Sequence, residues 1–322
     1  MGLESEIINR MQEKGVIPSE SLGQHILVNE VALGVFSKNT ARGGNVIEIG
    51  AGPGNITERI AQNAKKVVAI EIDRKFEPIL SDLQSEHRNV EVVYKDVLNL
   101  NLYNYMRGGL FSSDWQIMSN LPFHITEPFL KQVIDLPISE AVLILGKQMV
   151  DRIQVNNPLS FDFTRTGLTV QTFFESSVQM NLPSSYFYPE PGTDSAIVIL
   201  TPRSKDEYKR NKKLSILKHL FLTESKHSPV GKMIKESYGR VDDDVIRDKE
   251  ERNRYDRRQT KQDLRDMVKH GVYAGSGEDQ TKYDNGNRLF ERLGLSNDIL
   301  TQPFSRLDNQ DLRGLVIALD RL

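Results

Sequence analysis

The string "VIEIGAGPGNIT" holds Gly50, Gly52 and Gly54 between an apolar run and a segment with helical spacing. Glycines at a strand end let backbone amides approach a ligand closely, and the following helix N-terminus favours negative charge. A dinucleotide fingerprint would read G-x-G-x-x-G. Here the spacing is G-x-G-x-G, with Glu48 two residues before the first glycine. That arrangement suits S-adenosylmethionine, which has an amino-acid end to tuck against the turn and no pyrophosphate to cradle. The next apolar run ends in Glu71 of "AIEID", placed to accept hydrogen bonds from ribose hydroxyls. The run after that is followed by "KDVL", which places Asp96 where it can accept from an adenine amino group. Each acid alone reads equally as a solvated strand-end carboxylate. Three consecutive strand tips offering the appropriate group are a stronger signal, because ligands in such sheets sit outside the carboxyl ends of the strands.

A fourth tip is "SNLPFHITEP", Ser119 to Pro128. As geometry it is a strand running into a turn, since Asn and Pro are turn formers. As chemistry it can do more. An exocyclic adenine amine is a poor nucleophile because its lone pair is delocalised into the ring. Carbonyls that accept from both N–H bonds, while favouring a tetrahedral nitrogen, localise that pair. The side-chain carbonyl of Asn120 and the backbone carbonyl of Leu121 can serve, with Pro122 fixing the turn. Phe123 offers a face on which a flipped base can stack.

These tips need a sheet behind them. Strands are expected at 45–50, 66–71, 90–94, 116–120 and 140–146, with two later ones at 176–182 and 195–202. Runs such as "VVAI" and "VLILG" are apolar on both faces, as a sheet covered by helices on both sides requires. "NITERIAQNA" and "TEPFLKQVIDL" supply helices between strands, so the fold class is α/β with a mainly parallel sheet. The polar stretch 203–213 reads as a hinge. It divides a catalytic domain, residues 1–204, from a smaller helical domain, 205–322, that carries a charged insertion at about 240–285. The 322 residues include 38% hydrophobic and 27% charged types and a net charge of −2, an ordinary globular composition without a global pull toward nucleic acid. Zero cysteines exclude disulfides and thiolate metal sites and fit a reducing cytosol. With no run of 18 apolar residues and no secretory pattern at the start, a cytoplasmic protein with no membrane span is expected.

Taken in order, "LGQHIL", "EIGAGPGNIT", "AIEID", "KDVL" and "SNLPF" resemble the ribosomal RNA adenine-N6 dimethyltransferases. These comprise the small-subunit dimethyladenosine transferases and the macrolide-resistance Erm enzymes. "VLILGKQMVDRI" and "YFYPEPGTDSAIVIL" extend the match, which runs convincingly from Leu22 to Pro202. The resemblance implies a class I, Rossmann-like methyltransferase with a seven-stranded, mostly parallel sheet and a C-terminal helical domain. It also implies S-adenosylmethionine as cofactor, no metal, and ribosomal RNA or a pre-ribosomal subunit as the partner of a monomer. By the same resemblance, Gln24, His25, Leu27, Gly50, Gly52, Glu71, Ile72, Asp96, Val97 and Asn120 line the donor site. Asn120, Leu121, Pro122 and Phe123 receive the target adenine. His25 makes a cofactor contact rather than acting as a base.

The overall charge departs from the family, whose members are distinctly basic, and so bears on RNA binding more than on chemistry. Lys147, Arg152, Arg165 and Lys226 are the candidate phosphate contacts. The leading function is adenine dimethylation in small-subunit ribosomal RNA, with Erm-type methylation of large-subunit RNA as an alternative. A non-catalytic RNA-binding, ribosome-assembly or transcription-factor relative would be expected to lose Glu71, Asp96 or Asn120. A DNA adenine methyltransferase would normally read (D/N)-P-P-(Y/F), which Leu121 interrupts. A small-molecule methyltransferase would not need the charged second domain.

Overall fold

The apolar runs become the strands of one twisted sheet. A computed structural model describes residues 2–106, 115–134, 136–222, 228–238 and 289–322. The strands are β1 (Ile26–Leu27), β2 (Asn45–Ile49), β3 (Lys66–Glu71), β4 (Val90–Tyr94), β5 (Trp115–Asn120), β6 (Ile138–Gly146), β7 (Phe174–Leu182), β8 (Phe187–Tyr188) and β9 (Ser195–Pro202). Seven of them form the sheet, in the order β4-β3-β2-β5-β6-β9-β7. From β4 to β6 every pairing is parallel, while β9 runs antiparallel to both β6 and β7. β1 and β8 pair separately, Ile26 opposite Tyr188 and Leu27 opposite Phe187.

Successive residues of a strand point to opposite faces. Val67, Val68, Ala69 and Ile70 of β3 are all buried, as are Ala141 to Leu145 of β6, so both faces of the sheet are covered. Helices 3–13, 30–39, 55–61 and 77–86 supply Met11, Phe36, Ile60 and Leu80 to a core shared with Val46, Val67 and Met118.

The chain divides into two compact units, residues 1–154 with 173–202, and residues 155–172 with 203–322. The second unit is helical and has its own core, including Ile216, Leu220, Met233, Leu312 and Leu315. The second unit resumes at Arg203, at the start of the polar stretch read as a hinge, and takes in residues 155–172 as well. The stretch itself is helical at Lys205–Arg210 and runs into a helix at Lys212–Leu222. Its start is set by a capping box, in which the Ser204 side chain accepts from the Glu207 amide and Glu207 accepts from the Ser204 amide. The charged insertion expected at about 240–285 lies outside the described residues.

Candidate active site

The order of the strands locates the crevice. From β2 the chain steps outward through β3 to β4, then resumes on the other side of β2 with β5. Neighbouring strands whose connections depart in opposite directions leave a gap at their carboxyl ends. Gly50 follows β2 directly and Asn120 ends β5. A Cβ placed on Gly50 would lie 3.8 Å from the Asn120 carbonyl oxygen. Gly50, Gly52 and Gly54 hold φ of +74°, +54° and +81°, left-handed values that keep this turn tight and free of side chains.

The turn is tied to the next strand tip. Glu71 is buried, and its carboxylate accepts the Gly52 amide at 2.8 Å on one oxygen and the Asp73 amide at 2.8 Å on the other. Burial raises its carboxyl above the ordinary range, and these backbone hydrogen bonds oppose the rise. Asp96 accepts from the Leu98 amide at 2.9 Å and from Asn99 Nδ2 at 2.7 Å, which fixes the loop after β4. Glu48, one position before the end of β2, is fully buried. Its carboxyl is pushed up to about 8 by loss of solvent, with Thr57 opposing and the Glu71 charge adding. Neither Glu48 oxygen nor Thr57 Oγ1 has a hydrogen-bond partner of normal geometry.

Residues 19–27 form a strap across these tips. Gln24 accepts the Ser19 amide at 2.6 Å and donates Nε2 to Asp73 Oδ2 at 3.0 Å. The His25 ring is held through Nδ1, 2.8 Å from the Pro189 carbonyl oxygen. Because that oxygen can only accept, Nδ1 carries the proton. The backbone carbonyl of His25 accepts Asn120 Nδ2 at 2.7 Å. That bond settles which end of the amide is which, since only its nitrogen can donate to a carbonyl. Oδ1 is thereby the free end. Gly23, at φ +65°, lies so close to the Pro122 ring that an added Cβ would be 3.3 Å from Pro122 Cβ.

Two cavities meet at this point. The first is lined by Gln24, His25, Gly50, Gly52, Glu71, Ile72, Asp96, Val97, Asn120 and Pro122, together with Ile26, Lys95 and Ile125. The second is lined by Leu121 and Phe123 with Phe187, Pro191 and Ser195. Gly23, His25, Asn120 and His124 border both. Phe123 is 43% exposed, and its ring lies against Gly146, where an added Cβ would stand 3.1 Å from a ring carbon.

All the expected residues therefore converge except Leu27, which is 1% exposed in the core, with its carbonyl accepting from Asn55 Nδ2. Its neighbour Ile26 lines the first cavity instead. Phe187, Pro191 and Ser195 fall within the string "YFYPEPGTDSAIVIL", which carried the signal without pointing to particular residues. Of the cations expected to meet phosphate, Arg165 is committed within the second unit. It donates to the carbonyls of Phe304 and Leu307 and lies 4.7 Å from the Phe304 ring centre. Lys147 pairs with Asp151, and Lys226 lies outside the described residues. Among the described residues no cluster of His, Asp and Glu could hold a metal, and no helix is long and apolar enough to cross a membrane.

The profile of the family described as ribosomal RNA adenine dimethylase matches residues 19–258 of the 322. The chain belongs to that family. Ribosomal RNA small subunit methyltransferase A of Clostridioides difficile is 32% identical over 194 residues, 59% of this chain and 67% of that protein. The protein of the same name from Geobacillus thermodenitrificans is 35% identical over 208 residues, 63% of this chain and 70% of the relative. Among solved structures, a dimethyladenosine transferase from Plasmodium falciparum superposes with a TM-score of 0.54 at 21% identity. It covers 90% of this chain and 96% of its own, and shares the dimethylase fold.

Proposed function

We propose that the chain transfers methyl groups from S-adenosylmethionine to N6 of an adenine in small-subunit ribosomal RNA, twice on the same nitrogen. The observation that carries this reading is the Asn120 amide, pinned through Nδ2 to the His25 carbonyl so that Oδ1 is left free where the two cavities meet. A membrane-free, cytoplasmic, monomeric enzyme acting on ribosomal RNA or a pre-ribosomal subunit is the corresponding picture. The small-subunit preference rests on the names of the curated relatives.

The donor set of the first cavity fits the cofactor. Gly50 and Gly52 offer a side-chain-free turn for the amino-acid end, Glu71 an acceptor for ribose hydroxyls, and Asp96 an acceptor for the adenine amine. Ile72 and Val97 give apolar walls to the ring. When bound, the cofactor supplies an electrophilic methyl on a sulfonium. In the second cavity Phe123 stacks the extruded target base. In the first transfer Asn120 Oδ1 and the Leu121 carbonyl accept hydrogen bonds from the two N6–H groups, drawing the nitrogen lone pair out of the ring and toward the donor. One N6 proton is released to solvent with each methyl added, so the second transfer starts from a single remaining N–H. Pro122 holds the two carbonyls in one orientation.

The test is transfer of labelled methyl from S-adenosylmethionine to undermethylated small or large subunits, with the label mapped on the RNA. Dimethyladenosine in the small-subunit RNA is expected. Label on the large-subunit RNA alone would move the protein to the Erm-type branch. Cofactor binding without transfer to either would leave a non-catalytic RNA-binding relative.

A further inference from the structure

Between the helix at Lys147–Gln154 and the one at Arg165–Phe173, the sequence "NNPLSFDF" makes a double turn. Apolar side chains of such a loop normally turn inward, and Phe163 does, at 3% exposure in the core of the second unit. Phe161 does not. It is 98% exposed, and Leu159, two residues earlier, is 71% exposed. Local hydrogen bonds fix the turn that carries them. Asn157 Oδ1 accepts the Leu159 amide at 2.9 Å, and the Asn157 carbonyl accepts the Ser160 amide at 3.0 Å. The Ser160 carbonyl accepts both the Phe163 amide at 3.2 Å and Arg313 Nη2 at 2.9 Å. An aromatic ring is thus presented to solvent on a turn pinned at both ends, at a standing cost in exposed apolar surface.

We propose that Phe161, backed by Leu159, is a stacking finger for an unpaired ribosomal RNA base other than the target adenine. This rests on the rRNA substrate proposed above. RNA single strands and loops are recognised largely by bases splayed onto aromatic faces, and Phe and Leu also serve as wedges between base steps. The chain's net charge of −2 makes affinity gained without phosphate neutralisation useful.

The test uses the full chain and undermethylated small subunits, with Phe161→Ala, Phe161→Trp and Phe161→Leu. Phe161→Ala is expected to weaken subunit binding about tenfold. The slope of affinity against salt, the affinity for S-adenosylmethionine and the melting temperature stay unchanged. Phe161→Trp restores binding and Phe161→Leu does not. A photo-crosslinker at position 161 marks an RNA base. Unchanged binding by Phe161→Ala overturns the proposal, and so does full function of Phe161→Leu with crosslinks to a ribosomal protein or a second copy, which would make the loop a protein-docking surface. Methyl transfer by the unaltered chain reads the parent proposal separately. If transfer fails but Phe161→Ala still weakens RNA binding, the finger stands without the reaction.

Discussion

Glu48 makes the stability of the donor-side sheet depend on pH in an unusual direction. Its carboxyl is buried next to the glycine turn and titrates at about 8, against an ordinary 4.5. Below 4.5 the group is protonated in both folded and unfolded chains and contributes no pH dependence. Between 4.5 and 8 the unfolded chain ionises while the folded one keeps its proton, so stability falls as pH rises. A gap of about 3.5 at 1.36 kcal/mol each gives roughly 5 kcal/mol as an upper bound, which relaxation and water entry reduce. Glu48→Gln keeps the neutral shape and removes the titration. Urea unfolding of both proteins from pH 5 to 8.5, followed by Trp115 fluorescence, isolates the effect. Trp115 is the single tryptophan, 5% exposed in β5 and paired directly with β2. The variant is expected to gain at least about 2 kcal/mol over wild type between pH 5.5 and 8.5. Parallel profiles would refute the reasoning, since they would mean that Glu48 is hydrated or ion-paired in the folded protein.

Three further outcomes follow from the site. Asn120→Ala is expected to lower the methyl-transfer rate by about 10² or more while leaving cofactor affinity within about threefold, measured by single turnover and calorimetry; a large loss of cofactor binding would place the amide in the donor cavity alone. Gly146→Ala puts a methyl 3.1 Å from the Phe123 ring, which has to yield by a few tenths of an ångström. That displacement is expected to cost about tenfold in kcat with little change in melting temperature, because the ring is half exposed. Gln24→Ala removes the hydrogen bond that docks the strap to Asp73 and the one to the Ser19 amide that braces it internally, and is expected to weaken S-adenosylmethionine about tenfold by calorimetry with a smaller effect on kcat.

Much of this architecture was legible because parallel strands declare themselves twice, by apolar runs buried on both faces and by polar groups at their carboxyl tips. Glu71 and Asp96 could be placed from that rule alone. What escaped depends on partners far away in sequence. β1 and β8 are two residues each, too short for a periodic signal, and exist because Ile26 and Leu27 meet Tyr188 and Phe187. Once that strand is known, alternation sends Ile26 to the cavity and Leu27 to the core; without it both look alike. The stretch 203–213 held a readable capping box, but its density of charge masked the helix. Arg165 illustrates a different limit, because a cation's type does not reveal whether it will meet phosphate or, as here, two backbone carbonyls.

The strap turns two cavities into one device. His25 touches both sides of it: its ring is held by Pro189 in the segment that leads to Pro191 and Ser195, and its carbonyl holds Asn120. Gln24, one residue earlier, is bonded to Asp73, whose amide in turn donates to Glu71. Hydrogen bonds at Asp73 and at the His25 carbonyl, joined through the Gln24–His25 peptide, therefore link the carboxylate proposed to take the ribose to the amide proposed to take the target nitrogen. The linked groups are loop backbone and buried or half-buried side chains, so the donor and the base are positioned against a common frame rather than independently. Loss of a link near Glu71 should then register in the orientation of Asn120, and a double-mutant cycle between Gln24 and Asn120 would read it as a non-additive loss in kcat.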